Sequence, residues 1–84
     1  MQFKAVVTVM LKKSVLDPQG AAVERALKTM GSQGVGSVRI GKVIEMVVEG
    51  RSAAEVEARA AEWADKILAN PIMENYSVTV EPLS

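Results

Sequence analysis

The fold is decided by the stretch at residues 2–12, which reads QFKAVVTVMLK. Apolar residues occupy every second position, the pattern of a β-strand with one face on a hydrophobic core. The opposite face mixes lysines with apolar side chains, so we expect it to be partly covered in an assembly. The core face holds Phe3, Ala5, Val7, Val9 and Leu11, and the opposite face holds Lys4, Val6, Thr8, Met10 and Lys12.

Two helices are predicted from their end signals. Asp17 is a favourable N-cap in front of Pro18, which suits the first helical position, and Gly31 is a natural stop for this helix. The second helix is predicted to start at the capping box of residues 52–55, SAAE. It should end before Pro71, with Asn70 as a left-handed stop.

The remaining segments predict strands. Residues 35–49 are typical of a β-hairpin about the Gly41-Lys42 step, with a register that the sequence leaves open. The last strand alternates from Tyr76 to Glu81 and closes at Pro82. The order is β-α-β-β-α-β, which predicts a single α+β domain of the ferredoxin-like type over residues 1–84. We expect two helices on one face of a four-stranded antiparallel sheet with strand order 4-1-3-2, in a chain that dimerises.

The composition excludes several kinds of chemistry. The 84 residues contain no histidine and no cysteine, which removes the commonest general base, the thiol nucleophile and the usual zinc ligands. The net charge of zero argues against a nucleic-acid binder, and an RNA-binding domain of the same strand order would need aromatic residues on its sheet face. There is no apolar run of roughly 18 residues to span a membrane, and we expect a cytoplasmic protein. A chain this short has little core of its own, which favours support from a partner chain.

The charged residues of the predicted hairpin are candidates for partner contact. Arg39 and Lys42 flank its turn, so we expect both to project outward, where charge at the rim of an interface mainly steers association. The sequence indicates no catalytic residue, no cofactor-binding residue and no metal ligand.

Three local patterns carry a resemblance to a known family. They are VLDPQG at residues 15–20, RIGK at 39–42 and LANP at 68–71. In this order and spacing the chain resembles, along essentially its whole length, the small S subunit of phosphoribosylformylglycinamidine synthase, the PurS family. The resemblance implies de novo purine biosynthesis, in which that enzyme converts formylglycinamide ribonucleotide, ATP and glutamine into formylglycinamidine ribonucleotide.

The resemblance also implies partners. The small subunit is a non-catalytic homo-oligomer, a dimer or tetramer, that bridges a synthetase large subunit and a glutaminase subunit and supports ammonia transfer. ATP and magnesium then belong to the synthetase, and this chain holds no cofactor. The partner-contact candidates are Asp17, Gln19, Arg39, Lys42 and Asn70.

An alternative is a regulatory small-molecule-binding module, since ferredoxin-like domains often bind metabolites at a dimer interface. Its site would be the glycine-bearing loop at residues 32–36 together with the helix start at Gln19-Gly20. Neither interpretation involves nucleic acid or a membrane.

Overall fold

A computed structural model describes residues 1–83. It confirms the α+β class, with a three-stranded antiparallel sheet of order β2-β1-β3. Ser84, where we place the end of the domain, lies outside the described residues. The elements are β1 (Gln2–Leu11), α1 (Pro18–Thr29), β2 (Gly41–Glu49), α2 (Ala53–Trp63), a π-helical turn (Ala64–Leu68) and β3 (Glu74–Pro82).

The core lies between the central strand β1 and α2. As its alternation predicts, one face of β1 is buried, with Val7 fully enclosed. Val7 is opposite Ile44 of β2 and Val78 of β3, so both neighbouring strands present apolar side chains on the same face. From α2, Val56 and Ala60 are fully buried against this layer. The buried β1 residues are Phe3, Ala5, Val7 and Val9.

The predicted hairpin about Gly41-Lys42 does not form. Strand β2 begins at Gly41, and residues 35–40 lead into it without a turn and without a strand partner among residues 1–83. Their backbone groups bond to α1 and its cap instead: the Val38 N–H donates to Glu24 Oε1 (3.5 Å) and the Ile40 N–H to Asp17 Oδ2 (3.0 Å). The described sheet therefore has three strands rather than four, although these three keep the predicted order.

Only one helix covers the sheet, which corrects the prediction that both do. Helix α2 packs on β1 and β3, whereas α1 makes no comparable contact with the described strands. Gly20 is the sole buried residue of α1, while Val23 and Met30 are exposed. The radius of gyration is 16.3 Å, against about 12 Å for a compact chain of this length. The chain extends over 50 × 30 × 15 Å, because α1 and residues 35–40 continue beyond the end of the sheet.

Helix α1 begins and ends at the predicted residues. Asp17 is its N-cap, with Pro18 directly after it. At the other end Gly31 has φ +87°, and the Ser32 N–H donates to the Leu27 carbonyl at 3.1 Å. This is the Schellman arrangement, which glycine favours because it has no Cβ to clash in the left-handed region.

The end of the second helix differs from the prediction. Ser52 caps its start by accepting from the Glu55 N–H at 3.2 Å, as expected. At its end the backbone widens into a π-helical turn, in which the Ala69 N–H donates to the Ala64 carbonyl at 2.8 Å. Asn70 does not supply a left-handed stop, because Ser37 is the sole non-glycine residue of the described chain with positive φ.

Candidate partner interface

Asp17 joins the start of α1 to the entry of β2. Its Oδ1 accepts from the Gly20 N–H at 2.9 Å, and its Oδ2 accepts from the Ile40 N–H at 3.0 Å. These two backbone hydrogen bonds hold the pKa of the Asp17 carboxyl below its usual range, since they stabilise the charged form. The side chain thus caps the helix and fixes the segment before Gly41 at the same time.

The two basic candidates have different surroundings. The Arg39 guanidinium donates through Nη2 to the backbone carbonyls of Leu11 and Lys12. The expectation that Arg39 projects outward is therefore wrong: it is half-buried and holds the end of β1 to the segment before β2. Lys42 is exposed at the start of β2, opposite Val9, and its charge remains available to a partner.

Three of the five candidates line one cleft of about 250 Å³ at the end of the sheet. Asp17 and Glu74 supply carboxylates and Lys42 supplies an ammonium group, around apolar side chains from β1 and the segment before β2. Arg39 instead lines a neighbouring groove, on the other side of Asp17. The residues that line the cleft are Val9, Leu11, Asp17, Gln19, Ile40, Gly41, Lys42 and Glu74.

Asn70 does not line the cleft, but it positions a residue that does. The Asn70 side-chain oxygen accepts from the Ile72 N–H at 3.0 Å, which closes a tight turn. The Asn70 N–H donates to Glu74 Oε1, and the Asn70 carbonyl accepts from the Glu74 N–H, both at 2.7 Å. Glu74 is not among the partner-contact candidates that the sequence predicts, because its place beside the cleft depends on the β1–β3 register that sets it opposite Leu11.

The sheet face away from α2 is a second exposed surface, which we call the open face. Val6 and Met10 of β1 are half-buried on it, while Val43 and Val47 of β2 are 63% and 64% exposed. The Lys4 ammonium lies 2.9 Å from a carboxylate oxygen of Glu45, which stands between Val43 and Val47 on this face. Within a single chain the described residues leave this face without a helical layer, so its apolar side chains are free to meet another surface.

A comparison with known protein families identifies the family to which this chain belongs. The model of the PurS family, phosphoribosylformylglycinamidine (FGAM) synthase, matches residues 4–82. The chain belongs to the PurS family.

Individual PurS proteins are similar over nearly the whole length. The subunit PurS of phosphoribosylformylglycinamidine synthase from Bacillus subtilis is 44% identical over 79 residues, which are 94% of this chain and 93% of that protein. The Thermus thermophilus PurS structure superposes with a TM-score of 0.87 at 40% identity and covers all of both chains. A chain of the PurLQS structure from Thermotoga maritima superposes with a TM-score of 0.87 at 28% identity, over 96% of this chain and 99% of that one.

Membership of the PurS family favours a subunit of FGAM synthase, a ligase, over the alternative of a regulatory small-molecule module. The cleft and the open face offer this PurS chain charged, hydrogen-bonding and apolar groups suited to binding a protein. Among residues 1–83, no helix has the length and apolar character needed to cross a bilayer. The roles of Asp17, Gln19, Arg39, Lys42 and Asn70 in partner contact stay predictions.

Proposed function

We propose that this chain is the non-catalytic small subunit of phosphoribosylformylglycinamidine synthase in cytoplasmic purine biosynthesis. In this role it joins the synthetase subunit to the glutaminase subunit and supports the passage of ammonia between them. The observation that carries the proposal is the full-length similarity to PurS chains, one of which belongs to the PurLQS structure. ATP and magnesium act in the synthetase subunit, and this chain binds no cofactor.

The chemistry of the chain supports a non-catalytic role. A glutaminase of the cysteine type needs a thiol nucleophile, and the sequence has no cysteine. The two carboxylates of the cleft have structural bonds: Asp17 accepts from two backbone N–H groups, and Glu74 accepts from the Asn70 N–H. Such groups suit recognition of a partner surface rather than proton transfer to a substrate.

The cleft is the proposed contact for another subunit of the complex. Lys42 is exposed at its rim, where a charge increases the rate of association with an acidic surface. The open face supplies the apolar contact that a small subunit of a larger assembly needs, and self-association into a dimer or tetramer is part of the same proposal.

The test is reconstitution from three purified subunits. Formation of formylglycinamidine ribonucleotide is followed with glutamine and with free ammonia as nitrogen donor, in the presence and absence of this chain. We expect the glutamine-dependent activity to require the chain and the ammonia-dependent activity to survive without it. Equal glutamine-dependent activity in both samples would disprove the bridging role.

A pair of variants locates the contact. Lys42→Glu should slow assembly, whereas Lys66→Glu, at an exposed position of the π-helical turn, should not, because Lys66 does not line the cleft and is paired with Glu62 at 2.8 Å. Equal assembly rates for both variants would show that the partner contact does not lie at the cleft.

A further inference from the structure

The turn that leads into β3 carries an exposed apolar side chain at its tip. Ile72 is 83% exposed, and no other large apolar side chain of residues 1–83 is more exposed. Pro71 and Met73 beside it are also exposed, so this turn, which we call the tip (residues 70–73), has an apolar surface without a charged group. A single exposed apolar side chain is ordinary on a protein surface. What distinguishes Ile72 is the backbone that carries it.

Hydrogen bonds hold the tip in one conformation. The Asn70 side-chain oxygen accepts from the Ile72 N–H at 3.0 Å. The Asn70 carbonyl accepts from the N–H groups of Met73 and Glu74, at 3.0 and 2.7 Å. The Asn70 N–H donates to Glu74 Oε1 at 2.7 Å, and Pro71 has a fixed φ. Because the turn is already ordered, Ile72 can bind a partner with little further loss of conformational entropy.

The same hydrogen bonds limit what the tip can recognise. Every backbone N–H of residues 70–74 has an acceptor within the turn, and Pro71 has no N–H to satisfy. The tip therefore offers no group of free N–H donors to an anion, and none to a strand of another protein. Its remaining binding surface is apolar, so the complementary site on a partner is an apolar pocket.

The tip lies at the same end of the sheet as the cleft. The Met73 carbonyl accepts from the Lys12 N–H at 2.9 Å. Glu74 follows the tip directly, pairs with Leu11 and lines the cleft. Protein interfaces commonly have an apolar centre and a polar rim, and the cleft supplies polar groups next to the apolar tip. The tip therefore extends the surface that the proposed function assigns to another subunit.

A second copy of this chain is a poor occupant for the tip. The cleft contains the charged side chains of Asp17, Lys42 and Glu74, and the neighbouring groove contains those of Lys13 and Arg39. Neither is an apolar pocket. A tip of one copy in a pocket of the next would also be a heterologous contact, which leads to rings or open filaments rather than a closed pair.

We propose that Ile72 is the apolar anchor of the contact with another subunit of the synthase, and that it enters an apolar pocket on that subunit. Asn70 is a positioning residue of this contact, because its side chain and carbonyl hold the turn that carries Ile72. The inference rests on the proposed function, since it requires that the chain joins other subunits of a complex. It adds the residue at the centre of the contact and the chemistry of the surface that receives it.

The first test titrates the chain into fixed amounts of the synthetase and glutaminase subunits and follows glutamine-dependent activity. Ile72→Ser should raise the half-maximal chain concentration about 10- to 100-fold, the effect of losing one fully buried isoleucine side chain. The activity at saturating chain should equal that of the parent, because Ile72 takes no part in the chemistry. Ile72→Val keeps most of the apolar surface and should shift the midpoint by less than about tenfold.

Ile67→Ser is the matched control. Ile67 is 76% exposed on the π-helical turn, so the substitution removes the same side chain from a similarly exposed position outside the tip. Its midpoint should equal that of the parent. Both serine variants should keep the parent's circular dichroism and sedimentation. A smaller oligomer for Ile72→Ser would show that a second copy occupies the tip, and would overturn the proposal.

Asn70→Ala tests the positioning role. It removes the acceptor of the Ile72 N–H and should raise the same midpoint while Ile72 is present. If Asn70 acts through Ile72, Asn70→Ala should add little to the effect of Ile72→Ser in the double variant. Independent effects of the two substitutions would disprove the positioning role.

The second test reports the surroundings of the tip directly. The chain has no cysteine, so Ile72→Cys can be labelled at one site with a polarity-sensitive fluorophore. Its emission should shift to shorter wavelength when the other subunits are added, whereas the same label on Ile67→Cys should not respond. An unchanged spectrum at position 72 in the assembled complex would contradict burial of the tip.

The two proposals fail in different ways. A parent chain that does not raise glutamine-dependent activity would disprove the proposed function, and the anchor with it. A parent chain that raises this activity, together with an Ile72→Ser chain of equal midpoint, would disprove the anchor alone.

Discussion

The carboxylate of Asp17 accepts from the Ile40 N–H at 3.0 Å across 23 residues of sequence. Through its other oxygen it accepts from the Gly20 N–H at 2.9 Å. One side chain therefore caps α1 and fixes the direction in which the chain enters β2. The VLDPQG and RIGK patterns, which are separate in the sequence, meet at this carboxylate.

Asp17→Asn should destabilise the fold in a pH-dependent manner. An amide keeps one oxygen acceptor where the carboxylate has two, so one of the bonds to Gly20 and Ile40 is lost. The folded pKa of Asp17 is lowered, so its contribution to stability is complete above the unfolded pKa of about 4 and is lost as the pH falls through the folded value. We expect the difference in urea midpoint between parent and variant to be constant near neutral pH and to shrink below about pH 4.

The control for this prediction is Glu57→Gln, at an exposed position of α2. Its urea midpoint should differ little from that of the parent chain. A pH-independent difference for Asp17→Asn would show that the charge of Asp17 contributes nothing to the cap.

Arg39 and Lys42 should respond differently to substitution. Arg39→Ala removes the donors to the Leu11 and Lys12 carbonyls and should lower the thermal midpoint. Lys42→Ala removes an exposed ammonium group and should leave that midpoint unchanged while it slows assembly with the partner subunits. Differential scanning fluorimetry and surface plasmon resonance measure the two effects; a stable Arg39→Ala chain would contradict the structural role of Arg39.

Gly20 and Gly36 form a matched pair for backbone packing. Gly20→Ala would place a Cβ 2.2 Å from the Val38 carbonyl oxygen, whereas a Cβ at Gly36 meets no atom within 4 Å. We expect Gly20→Ala to separate α1 from residues 38–40 and to raise their amide hydrogen exchange, and Gly36→Ala to be tolerated. Equal protection in both variants would mean that the contact between α1 and residues 38–40 does not need this close approach.

The open face should contribute to larger assemblies rather than to the fold. Val43→Asp replaces an exposed apolar side chain of this face by a charge, which burial against another surface would leave unpaired. We expect weaker association with the partner subunits, or loss of species larger than a dimer, with unchanged circular dichroism. Val43→Thr has nearly the same shape without the charge and is the control. Met10→Asp should act in the same direction as Val43→Asp.

The isolated chain should be catalytically silent. With neither histidine nor cysteine in the sequence, it should hydrolyse neither glutamine nor ATP above background. Coupled assays of glutamate and phosphate release on repurified protein measure this. Turnover that follows the chain through successive purification steps would contradict a purely structural role.

Much of the fold was predictable because its signals are local. The alternation in β1 needs one buried face, and Val7 and Val9 are indeed enclosed. The caps at Asp17 and Ser52 and the stop at Gly31 depend on neighbours within four residues, so the sequence carries them directly. The candidate site was predictable only in part: Asp17, Gln19 and Lys42 meet at one cleft, while Arg39 is occupied by backbone carbonyls and Asn70 acts through Glu74.

The sequence by itself determined the α+β class, the starts of both helices, the end of α1, the order of the three strands and membership of the PurS family, since these follow from short patterns along the chain. The tertiary structure decided whether the hairpin closes. Residues 35–40 have strand-like composition, but the carboxylates of Glu24 and Asp17 bind two of their N–H groups from 14 and 23 residues away. These N–H groups could instead have bonded to a neighbouring strand. Which acceptor binds them depends on where α1 and its cap lie. No local pattern records that position, which keeps residues 35–40 from pairing with β2 of their own chain.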